Sequence, residues 1–159
     1  MRAWFDIYSL TDIEKEDEVG IVQSAQAINT LIDHQINDQI ASERIILAGF
    51  SQGGAMALYS GFHLKHKLAG IIALSTFMPL AESLVPEVIA ANLDTPVWLG
   101  HGEHDDVVPV EATYRTKQIL GALGNQASLS VYPIAHEVCE PEIDDIDQWL
   151  QKRLVANEK

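Results

Sequence analysis

Arg44-Ile45-Ile46-Leu47-Ala48-Gly49-Phe50-Ser51-Gln52-Gly53-Gly54-Ala55 is the stretch on which the reading of this chain turns. Ile45 to Phe50 is a continuous apolar run with the length of a strand buried on both faces. Beyond Ser51, Gly53 to Phe62 is small and apolar, as in a helix pressed onto a sheet. Gly49-Phe50-Ser51-Gln52-Gly53 therefore fits a serine lifted above a sheet on a tight strand-to-helix turn. Such a turn forces the serine into a strained backbone conformation. Small residues two before and two after it, Gly49 and Gly53, are expected to keep the crossing chains apart. The turn also aims the backbone N–H of Gln52 at a developing oxyanion.

Outward from this turn, the same alternation repeats. Apolar runs recur at Leu68 to Leu74, Pro96 to Gly100 and Leu129 to Tyr132. Between and around them lie stretches of helical periodicity. Val22, Ala25, Ile28 or Asn29, Ile32 and Ile36 form one stripe, preceded by Glu16, Asp17 and Glu18, which suit the positive end of a helix dipole. A further helix is expected over Glu111 to Leu123. A last one should present Ile143, Ile146, Trp149, Leu150 and Leu154 on one side. Strand and helix in alternation predict βαβ crossovers, hence an α/β fold with a parallel sheet flanked by helices. The chain lacks repeats and low-complexity linkers, so residues 1–159 are expected to form one domain.

A serine needs a base, and the base needs a carboxylate to orient it. The loop after the third run carries His101-Gly102-Glu103-His104-Asp105-Asp106-Val107-Val108-Pro109, and the loop after the fourth carries Pro133-Ile134-Ala135-His136. Both leave the carboxyl ends of parallel strands, where open α/β sheets place their sites. The order serine, acid, histidine makes Ser51 the nucleophile, His136 the base, and Asp105 or Asp106 the acid. Spacing alone leaves that last pair open. His101, His104, Asp105 and Asp106 also admit a metal-site reading, but it needs three ligands converging from one short loop and leaves the serine turn without a role. No metal and no cofactor are expected. His34, His63 and His66 read as solvated surface residues.

Composition narrows the partners. Ten Lys and Arg against 23 Asp and Glu give a net charge of −13, which works against binding nucleic acid. No run approaches the ~18 apolar residues of a membrane span. Cys139 is the one cysteine, so the fold cannot rest on an internal disulfide; it reads as a small buried hydrophobe, with a reactive thiol as the alternative. Met1 to Ile7 lacks the apolar core of a signal peptide, and a cytoplasmic location is expected.

Gly49-Phe50-Ser51-Gln52-Gly53-Gly54-Ala55, His101-Gly102 with Asp105 and Val107-Val108-Pro109, and Tyr132 with His136 together resemble the phospholipase/carboxylesterase family of α/β hydrolases. That family includes the acyl-protein thioesterases. Trp4-Phe5-Asp6-Ile7 and Arg44-Ile45-Ile46-Leu47 extend the likeness over nearly the whole chain. The resemblance assigns the acid to Asp105 and implies that Phe77 and Val107 border an acyl pocket. It implies a serine carboxylesterase acting on small ester or acyl-thioester substrates of short to medium acyl chains. The sequence departs from the family at Ala135, where glycine is usual; that matters if the position needs a positive φ.

The family also continues upstream of the Trp4-Phe5-Asp6 segment, with the first strands and a His-Gly loop donating a second oxyanion N–H. The chain is thus expected to match about two thirds of the family domain, truncated at its N-terminal side. Losing one oxyanion donor costs about 3 kcal/mol, or a few hundredfold in rate. A weak or inactive hydrolase kept as an interaction module is the competing reading. Without the upstream strands, Arg44 to Phe50 becomes an apolar sheet edge, which soluble proteins avoid. Either Met1 to Glu18 folds across it, with Trp4, Phe5 and Ile7 as cover, or a homodimer forms there, the dimer being preferred.

Overall fold

The computed structural model describes residues 3–6 and 16–155. The four apolar runs become β1 (Ile46–Phe50), β2 (Gly70–Leu74), β3 (Val97–Gly102) and β4 (Ser128–Tyr132). They lie in chain order, each pair parallel, with Ala48 opposite Ile72 and Leu99 opposite Leu129. Among the described residues five α-helices accompany them: α1 (Glu18–Asn37), α2 (Gln52–His63), α3 (Pro86–Ile89), α4 (Val110–Ala122) and α5 (Glu140–Val155). Asp17 caps α1, its carboxylate accepting the Gly20 N–H at 3.0 Å. α3, a single turn, is too short to leave a periodic signal in the sequence.

Strand alternation sorts the core into two sides. Ile71, Ala73, Val97 and Leu99 face one way and pack with Leu58 and Phe62 of α2, Ile32 of α1 and Leu120 of α4. Ile72 and Trp98 face the other way and meet Trp149 of α5. Gly70 makes that meeting close, since a Cβ there would stand 2.4 Å from the Trp149 ring.

The stripe expected on α5 is only partly buried. Trp149 is covered and Ile146 and Leu150 are half-buried, but Ile143 and Leu154 are exposed, and Glu142 takes a buried place instead. Trp149 fixes the rotation of α5 by seating over Gly70, and Ile143 and Leu154 fall beyond the contact. Cys139 is half-buried beside the same aromatic cluster. His63 is not the solvated residue expected. Its ring stacks on Tyr59 at 4.0 Å, Nδ1 lies 2.8 Å from the Tyr59 carbonyl, and Nε2 lies 3.1 Å from Ser83 Oγ. Burial holds this imidazole below its ordinary pKa. His34 and His66 are exposed.

Among the described residues β1 is an edge of the sheet, and its sequence does not get the two-sided burial it predicts. The cluster under α5 takes in β2 to β4 but only Ile46 of β1, leaving Ala48 and Phe50 exposed on that face. The described first residues do not run along the edge either. Phe5 tucks between Ile21 and Ala25 of α1 and Ala55, Met56 and Tyr59 of α2, whereas Trp4 is exposed. Ile7 lies outside the described residues. Among the described residues, no helix is long and apolar enough to cross a membrane.

Candidate active site

Ser51 joins β1 to α2 with φ 54° and ψ −122°, a conformation that costs an L-residue of order 1–3 kcal/mol. The surroundings impose it. The Ser51 N–H donates to the Leu74 carbonyl at 2.8 Å, and the Ser51 carbonyl accepts the Thr76 hydroxyl at 2.7 Å. A Cβ on Gly49 would lie 2.1 Å from the Gly53 backbone, and one on Gly54 2.8 Å from Thr76 Cγ2. At Gly53 a Cβ would meet nothing within 4 Å, so Gly49 and Gly54, rather than Gly49 and Gly53, are where the turn demands glycine.

His136 is delivered by the loop after β4. The Glu103 N–H donates to Tyr132 and the His104 N–H to Ile134, lashing that loop to the one after β3. Gly102 permits the approach: a Cβ there would lie 2.2 Å from the Ala135 carbonyl oxygen. Ala135 does not adopt a positive φ, so alanine sits there without strain.

The three side chains converge. His136 Nε2 is 3.1 Å from Ser51 Oγ, and Nδ1 is 2.7 Å from Asp105 Oδ2. The Phe50 ring packs against the imidazole with centroids 4.8 Å apart. Asp105 is fully buried at its side chain, and Oδ1 accepts the N–H groups of Val107 and Val108 at 2.9 and 2.8 Å. Burial pushes this carboxyl up, but the His136 hydrogen bond and the two N–H groups outweigh it, holding Asp105 below the ordinary carboxylate value. Asp106 and His104 are exposed. With Asp105 ionised, Nδ1–H donates to it, and Nε2 is left to face the Ser51 hydroxyl as a hydrogen-bond acceptor.

Gln52 opens α2, where the first N–H groups lack intrahelical partners and can face an anion. Its side chain has a second task, invisible in the sequence. Nε2 donates to the Phe5 carbonyl at 2.9 Å and Oε1 accepts the Trp4 N–H at 3.2 Å, pinning the Trp4-Phe5 segment beside the serine. Phe77 is half-buried against the Phe5–Met56 cluster, and Val107 is exposed on the loop that carries Asp105. A shallow cleft lined by Trp98, Ser128, Ser130 and Trp149 lies along β3, β4 and α5.

His101 is buried. Nδ1 is 2.5 Å from Thr113 Oγ1, Nε2 is 2.8 Å from the Val108 carbonyl, and Nε2 is 3.4 Å from Asp105 Oδ2. Among the described residues, no three His, Cys, Asp or Glu side chains gather as metal ligands.

The chain as a whole has counterparts among known proteins. The phospholipase/carboxylesterase family model matches residues 1–154. The chain belongs to that family. It is 38% identical to acyl-protein thioesterase 1 of Neurospora crassa over 163 residues, covering 97% of this chain and 66% of that protein. The Gibberella zeae acyl-protein thioesterase 1 is also 38% identical, over 97% of this chain and 69% of its own length. The chain thus spans about two thirds of the curated relatives it matches. Among solved structures, Arabidopsis thaliana SOBER1 superposes with a TM-score of 0.90 at 27% identity, over 97% of this chain and 75% of that one. Zea mays acyl-protein thioesterase 2 gives 0.82 at 28%, over 96% and 72%. The architecture is therefore that of the α/β hydrolases, and the chain is of hydrolase lineage.

Proposed function

We propose that this chain is a serine hydrolase that cleaves carboxylic esters, thioesters among them, of short to medium acyl chains. The observation that carries the reading is the pair of contacts at His136, 3.1 Å to Ser51 Oγ and 2.7 Å to Asp105 Oδ2. Nε2 takes the serine proton as Oγ attacks the acyl carbon, and Asp105 stabilises the imidazolium that forms. The Gln52 backbone N–H receives the oxyanion. His136 then protonates the departing alcohol or thiol, leaving Ser51 acylated, and the same base activates a water to release the acid. Phe77 and Val107 are assigned to the acyl pocket. Thioesters enter because the similar fungal proteins are named acyl-protein thioesterases. A fold whose only cysteine is Cys139 suits a reducing compartment, and we assign it to the cytoplasm.

Hydrolysis of p-nitrophenyl esters and matched acyl thioesters of increasing length tests the reading. Turnover should survive chelation and vanish in Ser51→Ala. Activity lost with EDTA and restored by zinc would contradict it. The outer side of β1, without a strand partner among the described residues, supports one further assignment, self-association through that strand.

A further inference from the structure

We propose that His101 is a positioning residue in its doubly protonated form, an imidazolium locked behind Asp105 that serves as the buried carboxylate's counter-ion. This deepens the serine-hydrolase reading and rests on it for the consequence in catalysis. The inference comes from counting protons around a ring that has no exposure to solvent.

The Val108 carbonyl, 2.8 Å from Nε2, can only accept, so Nε2 must carry a proton. Nδ1 faces the Thr113 hydroxyl at 2.5 Å, a group with one proton to give. That proton is already directed elsewhere, because Thr113 Oγ1 stands 2.6 Å from the Thr76 carbonyl oxygen, which also can only accept. Thr113 therefore presents a lone pair to His101, and Nδ1 must donate to it. A neutral imidazole has one N–H for these two positions. Only the imidazolium satisfies every group, and an unmade hydrogen bond in so buried a site is costly.

Charge gives a second, separate reason. The Asp105 side chain is wholly buried and ionised, and His136 must be neutral at rest to act as a base. A buried carboxylate without a partner charge is strongly unfavourable. His101 Nε2, 3.4 Å from Asp105 Oδ2, is the other cationic group within reach among the described residues, and no other ionisable side chain there forms an ion pair with His101. Apart from Asp105, the groups bonded to the ring are the Thr113 hydroxyl of α4 and the Val108 carbonyl of the loop after β3, both uncharged. The consequence is directional. A fixed positive charge behind Asp105 keeps the carboxylate ionised and opposes protonation of His136, so the base stays available at lower pH.

Long-range nitrogen–proton NMR on histidine-labelled protein, assigned through the backbone, reads the ring directly at about pH 8. Both His101 nitrogens should be protonated. His101→Gln, which can still donate to Val108 but carries no charge, should move the acidic limb of the kcat/KM profile to higher pH. The expected shift is about one unit, the low end for a neighbouring charge. A merely structural histidine would lower kcat without moving that limb. One bare ring nitrogen in the spectrum overturns the proposal, as does an unmoved limb in a folded, active variant. The spectrum is taken on the resting protein, so it decides the charge even if the variant fails to fold or no ester is hydrolysed.

Discussion

Gly49 and Gly53 touch across the serine turn: a Cβ on Gly49 would sit 2.1 Å from the Gly53 carbonyl, backbone against backbone with nothing able to yield. The reverse does not hold, since a Cβ on Gly53 would point into open space. Gly49→Ala should therefore cost about 3 kcal/mol of stability, the upper end for overpacking, and abolish turnover by displacing Ser51. Gly53→Ala should fold at least as well, alanine being favoured over glycine in a helix by about 1 kcal/mol. Thermal melts of the two variants check the contrast.

Asp105 and Asp106 are neighbours in sequence and opposites in the fold, one buried against His136 and the other exposed. Asp105→Asn should lower kcat by about 10⁴, the size seen when a triad carboxylate becomes an amide and the histidine tautomer is lost. Asp106→Asn should leave kcat within a few-fold. Because the folded Asp105 is held below its ordinary value, its contribution to stability is present above the carboxylate range and is lost as pH falls. Steady-state kinetics and acid unfolding of both variants separate the two residues.

Glu142 gives a pH dependence of opposite sign. It is buried near the start of α5 with neither oxygen in good hydrogen-bond geometry, and burial raises its pKa, the Cys139 N–H offsetting this only in part. A carboxyl raised in the folded state contributes stability below its unfolded pKa and loses it as pH rises through the folded one. Glu142→Gln should thus be more stable than the parent at pH 8, with the gap narrowing towards pH 4. Urea unfolding at both values measures it.

The sheet was legible because its strands are built on short apolar runs such as Ile71-Ile72-Ala73-Leu74, and short-range pattern suffices for them. The elbow was legible for the same reason, as a glycine-flanked serine at the end of such a run. What stayed hidden depends on contacts distant in the chain. Thr76 holds the Ser51 carbonyl, Gly102 makes room for the Ala135 carbonyl, Phe50 packs on His136, and the Gln52 amide pins Phe5. None of these pairs has a local signature. The solvated reading of His63 failed likewise, because Ser83, twenty residues away, closes over the ring.

The edge of β1 predicts behaviour in solution. With Ala48 and Phe50 exposed on β1, whose outer side has no strand partner among the described residues, the chain should self-associate through that edge. Light scattering coupled to size exclusion should give a dimer, and Ala48→Lys should dissociate it. A monomer at all concentrations would dismiss the edge as an interface.

Labelling by a fluorophosphonate probe tests the central claim most directly, because it reads activation of the serine without requiring the right substrate. The parent chain should gain the probe's mass on the peptide containing Ser51, and Ser51→Ala should gain none, with His136→Ala labelling far more slowly. An unlabelled parent chain, or label persisting in Ser51→Ala, would contradict the account.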